Sequence, residues 1–309
     1  MVTVHFPMST TENTAGPAPP SSTEAADKVD LLILGAGWTS NFLIPLLEKS
    51  GIRFAATSTT GRSGTIPFRY DPESSSSEPF RLLPTATTVL ITFPLKGQGQ
   101  SKHLTGLYHS THQQQAPEST QWIQLGSTGI FTAPHWTDES SSYDRTNLRA
   151  IAEDELMACV PGAAVLNLAG LYDGETRNPR NWVTRVARTK DAVRGKGAVH
   201  LIHGADVARA IVAMHRRFTP GRRWIVADLR TYDWWDLIQA WGADARKGLV
   251  AKGEADVAEG LQYERWVGEL MQEDGIKALP RSQDKLGRVL DSRAFWNEMG
   301  TWPSMGRVE

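Results

Sequence analysis

The sequence predicts an α/β protein: a doubly wound parallel sheet of the Rossmann type with a small, mainly helical C-terminal substrate lobe. Three observations predict it. Short, continuously apolar runs recur through the first two thirds of the chain, as in strands buried on both faces of a parallel sheet. The stretches between them are long enough for crossover helices. The first run, "VDLLILG" at 29–35, passes directly into "AGWTSNFL", a glycine turn that opens a helical pattern.

The strand candidates in order are 29–35, "IRFAAT" at 52–57, "TTVLITF" at 87–93, "WIQLGS" at 122–127, "AVLNLAG" at 164–170, "VHLIHG" at 199–204 and "RRWIVAD" at 222–228. They predict six or seven parallel strands within roughly 28–228. Residues 205–217 read as a helix with Asp206 near its start and Arg216 and Arg217 at its end, the arrangement its dipole favours. Residues 231–243 read as a second helix, rich in tryptophan. Pro45 falls inside the first helix, where it removes one hydrogen bond and favours a kink. The expected divisions are a disordered tail over 1–27, a dinucleotide-binding core over 28–169, and the remaining strands plus substrate lobe over 170–309. The tail is expected from its Ser, Thr, Pro and Ala content, which leaves little to bury.

Composition excludes several functions. The 309 residues are 40% hydrophobic and 22% charged, with 33 basic against 34 acidic side chains. A net charge of −1 without a basic stripe argues against nucleic acid and anionic membrane as partners. No apolar run approaches the roughly 20 residues needed to span a bilayer. A single cysteine, Cys159, fits a reducing, cytoplasmic compartment and is expected to be a small buried residue. A small-molecule substrate is the expected partner, with a homodimer left open.

The glycine turn carries the chemistry. Gly35 permits the tight turn, and Gly37 removes the Cβ that would block a pyrophosphate. The amides near Trp38 and Thr39 then face the anion. Ser40 stands where a third glycine is usual; that position serves helix–strand packing, and a small residue fits. At the end of the second strand an acidic residue would accept the ribose hydroxyls of NAD. This chain has Ser58, Thr59, Thr60 and Arg62 there, which suits the 2′-phosphate of NADP. Phe93, Pro94, Leu171 and Tyr172 end strands at the carboxyl edge and are expected to wall the nicotinamide end.

With "LGAGWTS", "ITFP", "LGSTGIF", "LRAIAEDEL", "LAGLYDG", "VHLIHGADVARAI" and "RTYDWWDLI" in this order, the chain resembles an atypical member of the extended short-chain dehydrogenase/reductase family, the epimerase/dehydratase-like group. The resemblance spans most of 28–300. It implies a serine or threonine that polarises a substrate oxygen, a tyrosine that passes the proton, and a lysine four residues later. The lysine is needed because a phenol with pKa near 10 is a poor base at pH 7 without a nearby cation. Ser127 matches the family serine, with Thr128 beside it. Tyr143 is followed four residues on by Asn147, not lysine. Aligning on Glu153 instead puts Arg149 at the lysine position and Arg145 at the tyrosine position. Either way the intact pair is absent, and Arg149 would supply its charge in a different geometry. Tyr172 is a fallback proton donor.

Three functions follow as expectations. The first is an NADP-dependent oxidoreductase or epimerase-like enzyme using Ser127 and Tyr143, weakly active near pH 7 and faster in alkali. The second is an NADP-binding sensor or structural protein with little catalysis. The third is an interaction protein on a borrowed fold. His103, His109 and His112 lack the cysteine or acidic partners of a metal site, and no metal is expected. His203 is expected to support packing near the cleft. Trp234, Trp235 and Trp241 either line a pocket or pack the lobe, with packing favoured.

Overall fold

The computed structural model describes residues 28–112 and 120–308. The tail expected over 1–27 lies outside the described residues. The main elements are β1 (Val29–Leu34), α1 (Ser40–Lys49), β2 (Phe54–Ser58), β3 (Ile66–Pro67), β4 (Ala86–Ile91), α2 (Gln100–His112), β5 (Gln121–Ser127), α3 (Leu148–Cys159), β6 (Ala164–Leu168), α4 (Gly204–Arg216) and β7 (Arg223–Val226).

The seven strands form one sheet in the order β7-β6-β5-β4-β1-β2-β3. All six pairings are parallel. Leu31 is in register with Phe54 on one side and Thr88 on the other, so β1 is central. From β1 the chain runs outward to β2 and β3, then returns to the opposite side at β4. This reversal opens a crevice at the carboxyl end of β1, where open α/β sheets bind ligands.

Alternation within each apolar run explains why both faces are covered. Leu31, Ile33, Leu90, Ile123 and Leu166 pack with α1 and α4. Leu32, Leu34, Val89, Ile91 and Trp122 point the other way, with residues of α2 and α3. Burying each such side chain contributes about 1.5–3 kcal/mol. The continuous apolar strand is therefore the sequence signature of a two-sided core.

A second core holds the helices that follow. Trp234, Trp235 and Trp241 of α5 (Trp234–Ala251) pack with Tyr263, Val267 and Leu270 of α6 (Tyr263–Glu273). These tryptophans are only 8%, 1% and 5% exposed and pack into the core of the lobe. Trp235 Nε1 donates to the Val193 carbonyl at 2.8 Å. The tryptophan helix begins later than its sequence suggests. Tyr232–Asp233 first pairs antiparallel with Ala198–Val199, and Asp233 then caps the helix by accepting from the Trp235 amide. The expected strand at 199–204 is likewise divided, its second half, Leu201–His203, running parallel to Gly170–Tyr172.

Two local expectations are revised. Helix α1 runs unbroken across Pro45. Cys159, the last residue of α3, is exposed, with its sulfur 3.8 Å from the Thr105 hydroxyl of α2. Among the described residues no helix is long and apolar enough to cross a membrane.

Candidate functional site

The site is built on the turn between β1 and α1. Gly35 has φ +96°, a left-handed conformation that favours glycine. A Cβ there would also meet Thr92 Oγ1 at 2.8 Å and the Phe93 ring at 3.0 Å. The Gly35 amide donates to Thr57 Oγ1 at 2.8 Å, and the Thr92 hydroxyl donates to the Gly35 carbonyl. Neighbouring strands thus fix the turn from both sides. Thr57 and Thr92 were not singled out from the sequence, since a threonine within an apolar strand carries no signal of its own.

Gly37 is exposed, and a Cβ there would meet nothing within 4 Å. The Ser40, Asn41 and Phe42 amides bond back into the first helical turn, to the carbonyls of Gly37, Trp38 and Thr39. The Trp38 and Thr39 amides donate to no group among the described residues. Ser40 Oγ is buried without a partner. An open glycine, two free amides at a helix N-terminus and the positive end of its dipole fit the pyrophosphate of a dinucleotide.

Arg62 lies in the loop after β2. Its Nη2 is 3.4 Å from the Ala36 carbonyl, so the guanidinium reaches back to the glycine turn. The Ser58 hydroxyl accepts from the Arg62 amide at 3.2 Å and pairs with Thr65 Oγ1 at 2.7 Å, fixing the loop. Thr59 is exposed beside it. Phe93, next to Gly35, is stacked with Tyr70 at 6.0 Å, and Pro94 is exposed.

The catalytic candidates occupy three different settings. Ser127 ends β5 and is half-buried; its Oγ accepts from the Gly129 amide at 3.1 Å, leaving its O–H free to donate. Tyr143 donates its hydroxyl to Asp154 Oδ1 on α3 at 2.6 Å. Arg223 lies 4.5 Å and Arg145 5.7 Å from its ring centre. Burial and then the Asp154 carboxylate push the Tyr143 pKa up, against the pull of Arg223. Tyr172 is buried; its hydroxyl is 3.4 Å from the Gly306 carbonyl, and burial pushes its pKa up to about 12. No hydrogen bond joins Ser127 to either tyrosine among the described residues.

The position four residues after Tyr143 has a structural role. Asn147 Oδ1 caps α3 by accepting from the Arg149 amide at 3.0 Å. Arg149 turns its Nη2 to the Leu125 carbonyl at 3.0 Å, inside the sheet–helix interface.

His203 Nδ1 caps α4 by accepting from the Ala205 amide. Its ring stands edge-on to Tyr172 at 5.1 Å and Phe42 at 5.5 Å, and Phe42 meets Trp38 at 5.0 Å. An aromatic file therefore runs from the glycine turn to Tyr172. His112 is tied to the Tyr108 and Leu83 carbonyls at 2.7 and 2.8 Å, and His103 Nδ1 to the Tyr70 hydroxyl at 3.1 Å.

A cleft of about 680 Å³ is lined in part by Trp136, Leu229, Thr231, Arg293 and Trp302, and by none of Ser127, Tyr143 and Tyr172. Trp136 and Trp302 are 52% and 53% exposed. Neither was singled out from the sequence, because an isolated tryptophan outside a longer periodic run has no spacing to place it.

A seven-stranded parallel sheet with a glycine turn at its switch point and a separate helical core defines the class: an α/β protein with a Rossmann-type fold. No protein-family model and no curated protein matches the chain. Among solved structures it is similar to vestitone reductase from alfalfa (Medicago sativa), at 14% identity over 90% of this chain and 94% of that one, with a TM-score of 0.56. It is similar to yeast methylglyoxal/isovaleraldehyde reductase Gre2, solved with NADPH, at 13% identity over 89% and 94%, TM-score 0.53. It is also similar to MoeE5, solved with UDP-glucose and NAD, at 13% identity over 90% and 94%, TM-score 0.55. Structural neighbours thus carry the names of an epimerase/dehydratase and of reductases, and the resemblance read from the sequence holds at the level of fold.

Proposed function

We propose that this chain is an NADP-dependent oxidoreductase or epimerase-like protein acting on a small carbonyl or hydroxyl substrate. The observation that carries the reading is the cradle at the switch point: Gly37 open, with the Trp38 and Thr39 amides donating to nothing. Arg62, reaching the Ala36 carbonyl, supports the 2′-phosphate of NADP over the bare ribose of NAD. Neighbours solved with NAD or with NADPH support a nicotinamide cofactor of either kind.

When bound, the dinucleotide supplies or accepts the hydride. The chain's own residues bind and orient. Gly35, Gly37, Trp38 and Thr39 hold the pyrophosphate; Ser58, Thr59 and Arg62 hold the adenosine end; Phe93 and Pro94 wall the nicotinamide end. Ser127 donates its free O–H to the reacting oxygen. Tyr172 or Tyr143 passes the proton. A tyrosine whose pKa is raised stays a neutral phenol, able to give a proton in reduction but unable to take one near pH 7.

The test is NADPH oxidation by wild type and Ser127→Ala on a panel of aldehydes and ketones. The reading expects turnover that Ser127→Ala lowers by about 100-fold, within the usual range for a single positioned donor. Turnover unchanged by Ser127→Ala overturns the role of Ser127. The sensor reading is favoured by one observation: the Tyr143 hydroxyl is bound by Asp154 while Asn147 occupies the lysine position as a helix cap. Tight NADPH binding with no turnover on any substrate decides for it.

A further inference from the structure

The segment after the strand Gly170–Tyr172 crosses to the glycine turn and is fastened there. Asp173 Oδ2 accepts from Trp38 Nε1 at 2.7 Å, and Thr176 Oγ1 accepts from the same nitrogen at 3.1 Å. Asp173 also accepts from the Thr176 hydroxyl and, through Oδ1, from the Glu175 and Arg177 amides at 2.8 Å each. These bonds pin residues 173–177 as a strap over the Trp38 indole. The strap delivers one cation. The Arg177 guanidinium carbon lies 4.3 Å from the Trp38 ring centre, a cation–π geometry.

Arg177 is exposed, and among the described residues no carboxylate pairs with it. Its five donors are unspent, yet the Asp173 bonds and the Trp38 stack hold it in one place. An arginine needed only for solubility gains nothing from such a fixture. Trp38 is the residue whose own amide, with that of Thr39, donates to nothing. The strap therefore brings a planar bidentate cation to the residue at which the cradle offers its free N–H groups. Planar forks of this kind suit phosphate oxygens.

We propose that Arg177 is a pyrophosphate-binding residue, closing the cradle from the lobe side with Trp38 as its platform. The inference rests on the dinucleotide reading above and adds a second wall to it. Arg62 and Arg177 then divide the cofactor's charge: Arg62 answers the 2′-phosphate, and Arg177 the pyrophosphate.

Titration calorimetry with three probes separates the two roles: NADPH, ADP, which has the pyrophosphate without the 2′-phosphate, and adenosine 2′-monophosphate, which has the 2′-phosphate without the pyrophosphate. Arg177→Ala is expected to weaken NADPH and ADP about tenfold and to leave adenosine 2′-monophosphate unchanged. Arg177→Lys, which keeps the charge, is expected to recover part of the ADP affinity. Arg62→Ala is expected to weaken NADPH and adenosine 2′-monophosphate and spare ADP. Arg177→Ala that binds NADPH and ADP as wild type does overturns this inference and leaves the dinucleotide reading standing. Equal loss for all three probes marks a general disturbance of the strap and also overturns it. Wild type that binds none of the three overturns both.

Discussion

The Tyr143 hydroxyl donates to Asp154 Oδ1 at 2.6 Å, so the tyrosine that best matches a proton carrier is held by a carboxylate. To deliver its proton it must first give up a charge-assisted bond, worth about 1.5–3 kcal/mol. Tyr172 has only a 3.4 Å contact with the Gly306 carbonyl to lose. The expectation is therefore that Tyr172→Phe slows NADPH-driven reduction by about 100-fold, the low end for a positioned acid. Tyr143→Phe should slow it less than about threefold while lowering stability by about 1–2 kcal/mol. Steady-state rates and denaturant melts of the two variants check this; the reverse order of rates assigns the proton to Tyr143.

Direction should separate the pH profiles. Burial raises the Tyr172 pKa to about 12, and no lysine follows Tyr143 at the position that would offset its own rise. Reduction consumes the neutral phenol's proton and should be nearly flat from pH 6 to 9. Oxidation needs the phenolate and should climb with pH up to alkaline inactivation, about tenfold per unit. Measuring both directions across pH with one substrate pair tests it. An oxidative plateau near pH 7 would mean that another cation lowers the tyrosine.

Cofactor preference is the third expectation. Arg62 at the Ala36 carbonyl favours NADPH over NADH. Arg62→Ala should cost about 1.5–3 kcal/mol for NADPH, the range for a bond to a charged group, and little for NADH. Fluorescence titration of both dinucleotides checks it, and tighter NADH binding by wild type would reverse the assignment.

The sheet was legible because its code is local. An apolar run such as 29–35 states that both faces are buried, and a glycine turn after it states where a helix begins. The long-range contacts were not legible. Nothing near Trp38 in sequence announces Asp173, 135 residues away. Nothing near Tyr143 announces Arg223, whose place is set by the pairing of β7 with β6. The start of α5 shows the same limit: Asp233 reads as helix by composition, yet it is a strand residue and cap, because its backbone pairs with Ala198.

Asp228 gives a stability prediction. It follows β7, accepts from the Tyr232 hydroxyl at 2.6 Å and from the Arg230 amide at 3.1 Å, and is 2% exposed. Burial outweighs both bonds and raises its pKa to about 6. Its folded form holds the proton more tightly than the unfolded chain does. Its contribution is therefore fully present below about pH 4 and is lost as pH rises to about 6, a loss on the order of 3 kcal/mol. Asp228→Asn should remove that falling limb. Thermal melts of both proteins between pH 4 and 7 check it; parallel profiles would place the titration elsewhere.

The last prediction concerns the charges buried beside the site. Glu153 of α3, fully buried, pairs with the Arg223 guanidinium and accepts from Asn167 Nδ2 at 2.9 Å; Arg223 Nη1 also reaches Asn167 Oδ1 at 3.2 Å and Nη2 Asp154 at 2.7 Å. This cluster ties α3 to β6 and β7 and reaches the end of β5, where Asn167 Nδ2 also donates to the Ser127 carbonyl at 3.3 Å. It exists only because Gly126 leaves room: a Cβ there would meet Asn167 Nδ2 at 2.3 Å, Glu153 Oε1 at 2.6 Å and Val165 Cγ1 at 2.8 Å. Arg223→Met leaves Glu153 buried without its cation and should cost about 3–5 kcal/mol. Adding Glu153→Gln to Arg223→Met removes the stranded charge and should recover more than half of that loss, a coupling read from a double-mutant cycle in urea. Gly126→Ala should destabilise by more than an ordinary surface change, because Asn167 has no free direction in which to yield. Since Ser127 follows Gly126 in the strand, its displacement should also weaken NADPH-driven turnover, whereas Arg223→Met, which reaches β5 only through Asn167, should lower stability first. Equal losses of stability and turnover in both variants would mean that the cluster and the catalytic edge move as one unit.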